Sequence, residues 1–259
     1  MDSSPVVLVT GGAAGIGRSI AERFLAGGYS AHICDTDSSA VDEFLARSAG
    51  ASATVADISS VTDVDRVFGE IREKYGRLDV LINNAGIAGP TASTVDIEPA
   101  EWDRTIAVSL SGQFYVTRLA IPLLANSSAA SIINISSNAA FFGFPMRLPY
   151  TASKWALIGI TKTLAMELGP EGIRVNAICP GSVSGPRIDR VIRKDAEQRG
   201  MTEEEIRDIY TRQSSMRKFV EADDVANLAY FLASDAGAMI SGQAIGVDGH
   251  TESLSNWLD

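Results

Sequence analysis

The stretch VLVTGGAAGIGRSIA, residues 7–21, decides how the rest of the chain is read. A short apolar run ends at Thr10, a glycine-rich turn follows, and then Ile16, Ile20, Phe24 and Leu25 fall on one face of a helical pattern that stops at Gly27-Gly28. Continuous apolar runs of this length suit strands buried on both faces of a parallel sheet. Glycines let the backbone turn sharply and let a pyrophosphate approach the helix N-terminus, where free amides and the dipole favour negative charge. A glycine-rich turn alone is weak evidence, but a strand before it and a helix after it are the context this motif requires. Gly11, Gly15, Ile16 and Gly17 are therefore candidate cofactor contacts.

The same alternation continues outward. Strands are expected at residues 31–34 and 51–56, with helices at about 38–49 and 61–75. LDVLINN from Leu78 reads as a strand, residues 97–124 as one long helix entered near Glu98-Pro99, and SIINIS (131–136) as a strand. A helix over 150–168 closes at Gly169-Pro170, followed by the strand IRVNAIC (173–179), a helix over 220–233 and a last short strand QAIGV (243–247). Seven strands separated by helices predict right-handed crossovers and an α/β fold, a parallel sheet covered on both faces. No linker or repeat divides residues 1–259, so a single domain is expected. Residues 181–215 depart from the rhythm with Pro186, two charged helical stretches (187–199 and 202–212) and little to build core. Because the segment starts at the C-terminal end of a strand, where open α/β sheets bind ligands, it reads as a lid rather than a solvated excursion.

Over 259 residues, 46% are hydrophobic and 21% charged, which excludes disorder, collagen and coiled coil as descriptions of the whole. The net charge of -10 offers no basic surface for nucleic acid. Cys34 and Cys179 each lie in an apolar run, as buried thiols do in a reducing compartment. The N-terminus lacks the basic region of a signal peptide, and no run approaches the roughly eighteen apolar residues of a membrane span. A soluble, cytoplasmic protein with a small-molecule substrate is expected. His32 and His250 are too isolated to build a metal cluster.

Asp35 ends the second strand about twenty residues beyond the glycine turn, where a carboxylate accepts hydrogen bonds from the adenosine ribose. It would repel a 2′-phosphate, and no Lys or Arg neighbours it in CDTDSS (34–39), so NAD is favoured over NADP. Asp57, ending the third strand, is either an acceptor for the adenine amino group or an ordinary strand-end aspartate. YTASK (150–154) puts Tyr150 and Lys154 on one helix face. A free phenol, with a pKa near ~10, is a poor base at neutral pH, and a nearby ammonium favours its ionised form. Ser137 follows the strand SIINIS, so its hydroxyl would hold a substrate oxygen beside Tyr150.

TGGAAGIG (10–17), NNAG (83–86), ISS (135–137), YTASK, RVNAICPG (174–181) and, near the C-terminus, ISGQAIGVDG (240–249) together resemble the short-chain dehydrogenase/reductase family over essentially the whole chain. The resemblance implies a Rossmann-type, doubly wound, seven-stranded sheet. It implies that Tyr150 is the general acid/base, that Lys154 lowers its pKa and binds the nicotinamide ribose, and that Ser137 orients the substrate. NNAG, with Asn84 and Gly86, would pack beside the adenine-side pocket in a partly structural role. Pro180 and Gly181 would shape the nicotinamide end, and Val183 would place an amide near the carboxamide, with Ser184 where the family often has Thr. Ser109 stands where the family carries an Asn that kinks a helix and holds a water linking the Lys to solvent. Serine is shorter and presents one donor, so the relay is expected to survive in altered form.

Phe144 falls where the family commonly faces substrate, with Met146 close by. With Phe141 and Phe142 these residues suggest an apolar or aromatic substrate body, or else a core or subunit interface. Arg147, Arg187 and Arg190 would meet an anion or simply be solvated. The expected reaction is hydride transfer between NAD(H) and a secondary alcohol or ketone. The rivals are a non-catalytic NAD-binding regulatory module and an epimerase or dehydratase of the extended branch. Family resemblance further implies a homo-tetramer or dimer built through the two long helices, and Leu254, Trp257 and Leu258 are expected to pack on a neighbouring subunit.

Overall fold

The apolar run ahead of the glycine turn is strand β1 (Val6–Thr10), and every residue of it is buried. It pairs in parallel with β2 (Ser30–Asp35) on one side and β4 (Val80–Asn83) on the other. Strands β3 (Ala51–Val55), β5 (Ser131–Ile135), β6 (Arg174–Pro180) and β7 (Ala244–Val247) complete a seven-stranded sheet. Its order is β3-β2-β1-β4-β5-β6-β7, all parallel. This is the expected doubly wound Rossmann arrangement, and it opens a crevice at the C-terminal ends of β1 and β4, where the winding reverses. The structure, a computed structural model, describes residues 4–251 apart from the side chain of Gln198. Leu254, Trp257 and Leu258 lie outside the described residues.

Helices cover both faces. On one face α1 (Gly15–Ala26), α2 (Ser38–Arg47) and, from late in the chain, the helix Ala222–Ala233 bury Ile20, Phe24, Phe44 and Val225 against β1 and β2. On the other, α3 (Val61–Lys74) brings Val64, Phe68 and Ile71 against Leu8 and Leu81. The segment expected as one long helix is α4 (Pro99–Ile106) and α5 (Gly112–Leu124) joined by a π-helical turn, Ala107–Ser111. Such turns add one residue to a helical repeat and occur often at functional sites. Although no unbroken apolar run is that long, Pro99–Leu124 has the length of a membrane-crossing helix, and its most apolar 18-residue window has a mean hydropathy of 1.2. Here its apolar face instead forms one layer of the fold, with Val116, Ala120 and Leu124 buried against the sheet.

A buried polar chain joins this layer to α6 (Leu148–Leu168). Asn83 and Asn134 stand opposite one another on β4 and β5. Asn83 Nδ2 donates to Thr117 Oγ1 on α5 at 2.8 Å and to Asn134 Oδ1 at 2.9 Å. Asn134 Nδ2 donates to Thr161 Oγ1 on α6 at 2.9 Å, and Thr161 in turn donates to Leu157 O at 2.7 Å. Buried polar groups need such partners, and these partners sit in one geometry only.

The lid segment forms α7 (Pro186–Arg199) and α8 (Glu203–Arg212), with α9 (Ala222–Ala233) following it. Thr202 and Glu205 cap α8 reciprocally. The expectation that this segment builds little core is corrected by a small separate cluster of Ile192, Ala196, Ile206 and Tyr210, all buried. Helical spacing hid it, because these residues are interleaved with charges that face outward.

Asn134→Ala removes one hydrogen bond from Asn83 Nδ2 and one from Thr161 Oγ1, each of which keeps its other partner. A loss of about 0.5–1.5 kcal/mol per hydrogen bond is expected in chemical denaturation, with an unchanged m-value.

Candidate active site

Beyond β5 the chain turns at Ser136 and Ser137. Ser137 caps a short 3-10 turn, its Oγ accepting from the Ala139 amide at 3.2 Å, so the side chain is held at the sheet edge. Helix α6 comes back over that edge carrying Tyr150 and Lys154. Lys154 is only 5% exposed, and its Nζ donates to the Ile135 carbonyl at 2.9 Å. Ser136 Oγ donates to the Lys154 carbonyl at 2.9 Å, a second tie between strand and helix. From the Tyr150 ring centroid, Lys154 Nζ is 5.7 Å away and the guanidinium carbons of Arg147 and Arg187 are 5.1 and 6.0 Å away.

Burial opposes ionisation of the Tyr150 phenol, but Lys154, Arg187, the Ser137 hydroxyl and Arg147 together outweigh it and hold the pKa below the usual tyrosine value. Burial likewise lowers the Lys154 pKa; Tyr150 works against that shift and Arg187 adds to it. The three residues singled out in the sequence, Ser137, Tyr150 and Lys154, are thus gathered at one sheet edge.

Ser109 lies in the π-helical turn and is fully buried. Its Oγ accepts from the Ile87 amide at 3.1 Å and donates to the Ile87 carbonyl at 3.4 Å. A side chain at Gly86 would meet Ser109 Oγ at 3.5 Å and Lys154 Nζ at 3.6 Å, so Gly86 keeps open the gap between hydroxyl and amine.

On the nucleotide side, Gly15 has φ +53, and a Cβ at Gly17 would lie 2.0 Å from the Gly11 carbonyl oxygen. No side chain fits there. Helix α1 has no side-chain cap at Ala14 and no acid in its first turn, whereas Asp37, Ser60 and Thr202 cap α2, α3 and α8. The amides around Gly15, Ile16 and Gly17 are therefore left to an external anion, and the turn fits a dinucleotide pyrophosphate.

Asn84 holds the turn in place, its Nδ2 donating to the carbonyls of Thr10 (3.0 Å) and Gly11 (2.9 Å). Thr10, which the sequence reading passed over, accepts from the Asn84 and Ala85 amides, each at 3.0 Å. Its position as the last residue of β1 was the available signal.

Asp35 Oδ2 accepts from the Ala13 amide at 3.1 Å, and Oδ1 from the Thr36 amide at 2.8 Å. Asp57 already receives Ser59 (amide 2.9 Å, hydroxyl 2.7 Å) and Arg104 (2.8 Å), so an adenine amino group would share its oxygens. Pro180 ends β6, and Gly181 donates to Val247 O at 2.9 Å where a Cβ would strike Asp248. Val183 bridges to Val220 through Ser182 O and Ser184 N, so its own amide takes no part in the bridge. Ser184 Oγ is engaged by Glu221 at 2.8 Å.

A cavity of about 410 Å³ opens between the segment from Gly86 to Thr91 and helix α7, with Arg147 and Arg187 in its wall. Phe144, Met146, Ser137 and Tyr150 are not in its wall; Tyr150 is reached from it through the guanidiniums of Arg147 and Arg187. Met146, with φ +65, turns outward and is 40% exposed, while Phe144 lies 5.5 Å from the Arg147 guanidinium. Among the described residues no group of three His, Cys, Asp or Glu is placed to hold a metal.

A family model described as Enoyl-(Acyl carrier protein) reductase matches residues 11–250. The chain is 35% identical over 248 residues to the 3-oxoacyl-[acyl-carrier-protein] reductase FabG of Thermotoga maritima, covering 94% of this chain and 96% of that one. It is also 35% identical over 252 residues to the D-beta-hydroxybutyrate dehydrogenase of Rhizobium meliloti, covering 93% and 96%. Among solved structures, an actinorhodin polyketide ketoreductase with NADPH superposes with a TM-score of 0.91 at 30% identity, covering 95% of this chain and 96% of that one. NAD+-bound xylitol dehydrogenase superposes at 0.90 with 26% identity, covering 95% and 98%.

Ser109→Asn is expected to leave oxidoreductase turnover within about threefold, under about 0.7 kcal/mol of barrier. A large rise in steady-state turnover would show instead that the serine impairs proton relay.

Proposed function

Because the chain belongs to the short-chain dehydrogenase/reductase family and is an oxidoreductase of that group, we propose that it moves a hydride between NAD(H) and a secondary alcohol or ketone with an apolar or aromatic body. The observation that carries this reading is the acidified phenol of Tyr150 beside a lysine pinned to the end of β5. In alcohol oxidation the Tyr150 oxygen takes the hydroxyl proton, and Ser137 holds the substrate oxygen next to it. Lys154 keeps the phenolate favoured, and with a cofactor bound it would donate a hydrogen bond to the ribose. When bound, the nicotinamide supplies the hydride acceptor at its ring carbon. Reduction runs the same proton path backwards.

NAD rather than NADP is supported by the Asp35 carboxylate at the end of β2 and the absence of Lys or Arg in residues 34–39. The cation on the first turn of α1, Arg18, is occupied by Glu22 at 2.8 Å and Glu43 at 3.3 Å. The relatives named above include both an NADPH-bound and an NAD+-bound structure. A homo-tetramer or dimer through α5 and α6 is supported by Phe114 (55% exposed), Trp155 (50%) and Met166 (82%) on those helices. A reducing, cytoplasmic setting suits two free cysteines that are both buried.

Tyr150→Phe is expected to cut NAD-dependent alcohol oxidation by at least about 10²-fold while NAD still quenches the protein's tryptophan fluorescence. Normal turnover in that variant would overturn the assignment, and NAD binding with no turnover of any alcohol or ketone by the native protein would favour the regulatory module. The reactive phenolate is present above the Tyr150 pKa and lost as pH falls through it. Oxidation should therefore rise with pH and level off below the ordinary tyrosine pKa of about 10, and Lys154→Met should move that limb upward.

A further inference from the structure

We propose that the substrate is a short hydroxy acid or its oxo acid, whose carboxylate is held by Arg147 and Arg187 in the cavity beside Tyr150; this rests on the hydride-transfer reading above. Arg147 is 6% exposed and lines the cavity. Its Nη2 donates to the Ala88 carbonyl at 2.9 Å, and its buried Nε has no partner. A buried guanidinium is costly unless a counterion and hydrogen bonds compensate it.

From α7, Arg187, Arg190 and Lys194 also face the cavity, at a spacing that places them on one side of the helix. Among the described residues none of these four cations forms an ion pair. In a chain of net charge -10 such a gathering runs against the composition. The acids nearby do not neutralise it. Asp189 is taken by Arg207 at 2.6 Å. Asp195 lines the cavity but is 1% exposed and lies 4.0 Å from Arg199, and burial pushes its carboxyl above the usual range.

The two guanidinium carbons, 5.1 and 6.0 Å from the Tyr150 ring, set where the anion sits. A carboxylate held by the guanidiniums of Arg147 and Arg187 would lie close to the phenol, beside a carbinol carbon whose oxygen meets it. 2- and 3-Hydroxy acids carry a carboxylate within two bonds of the carbinol carbon, the arrangement this pairing calls for. The planar fork of Arg matches a carboxylate well, and the cavity of about 410 Å³, with Ile87, Ala88 and Val191 as apolar wall, leaves room for a modest apolar body.

The test compares NAD-dependent oxidation of 3-hydroxybutyrate, mandelate and 3-hydroxy-3-phenylpropionate with that of their methyl esters and of 1-phenylethanol. At least one free acid should exceed its ester by tenfold or more in kcat/KM, with KM rising as salt is added. Arg187→Gln, a change at an exposed position, should lower the acid's kcat/KM at least tenfold more than the ester's. Arg147→Lys serves as a milder second variant at the buried position. Esters or 1-phenylethanol turned over as well as the acids would overturn the carboxylate site and leave the hydride-transfer reading standing. If none of these compounds reacts in either direction, that reading fails. The site is then judged by calorimetric binding of acetoacetate and methyl acetoacetate to the NADH-loaded protein. Tenfold tighter binding of the acid, lost in Arg187→Gln, supports it, and equal affinities overturn it.

Discussion

Lys154 is charged and almost wholly enclosed, so its ammonium must find hydrogen-bond partners inside the fold, and the Ile135 carbonyl at the end of β5 is one of them. Three consecutive residues of that strand end take hold of α6. Asn134 binds Thr161, Ile135 binds the Lys154 ammonium, and Ser136 binds the Lys154 carbonyl. Together they fix both the height and the rotation of the helix. Tyr150, one turn earlier, therefore has no freedom to leave the sheet edge, and Ser137 is the next residue along the same strand exit. The position of the Tyr150 phenol follows from how a buried amine is satisfied.

The nucleotide half is built on a different constraint. The glycine turn is too tightly folded to carry side chains at Gly17, and it is held from the neighbouring strand by Asn84 reaching back to Thr10 and Gly11. That neighbour is β4, so the clamp exists only because β1 and β4 are adjacent at the point where the sheet reverses its winding. Gly86, a few residues on, keeps the floor between Ser109 and Lys154 clear. One loop thus supports the glycine turn at its start and borders Lys154 at its end.

Electrostatically the site is the inverse of the molecule. An acidic chain places Lys154, Arg147 and Arg187 around one phenol. Desolvation alone would keep that phenol neutral, and the surrounding positive charge outweighs it. The cations thereby favour the ionised form of the Tyr150 phenol. The small core under α7 and α8 gives the cation-bearing helix a support of its own.

What the sequence determined by itself are the features written in local periodicity. The alternation of apolar runs and helical patterns gave the order of elements, the glycine spacing gave the phosphate turn, and the Tyr150–Lys154 interval gave one helix face. These rest on backbone geometry within a few residues. Tertiary structure alone decided the rest. Arg147 is a buried residue of the cavity wall because Ala88, 59 positions away, offers it a carbonyl. Asp57 is tied down by Arg104, 47 positions away. The long helix changes to a π turn at Ser109 where that side chain binds the Ile87 backbone. Met146, expected beside the substrate, takes a left-handed backbone and is 40% exposed, which no local pattern announces. Burial and the pairing of polar groups depend on which distant segments the sheet order brings together, and no periodicity within a single segment encodes that.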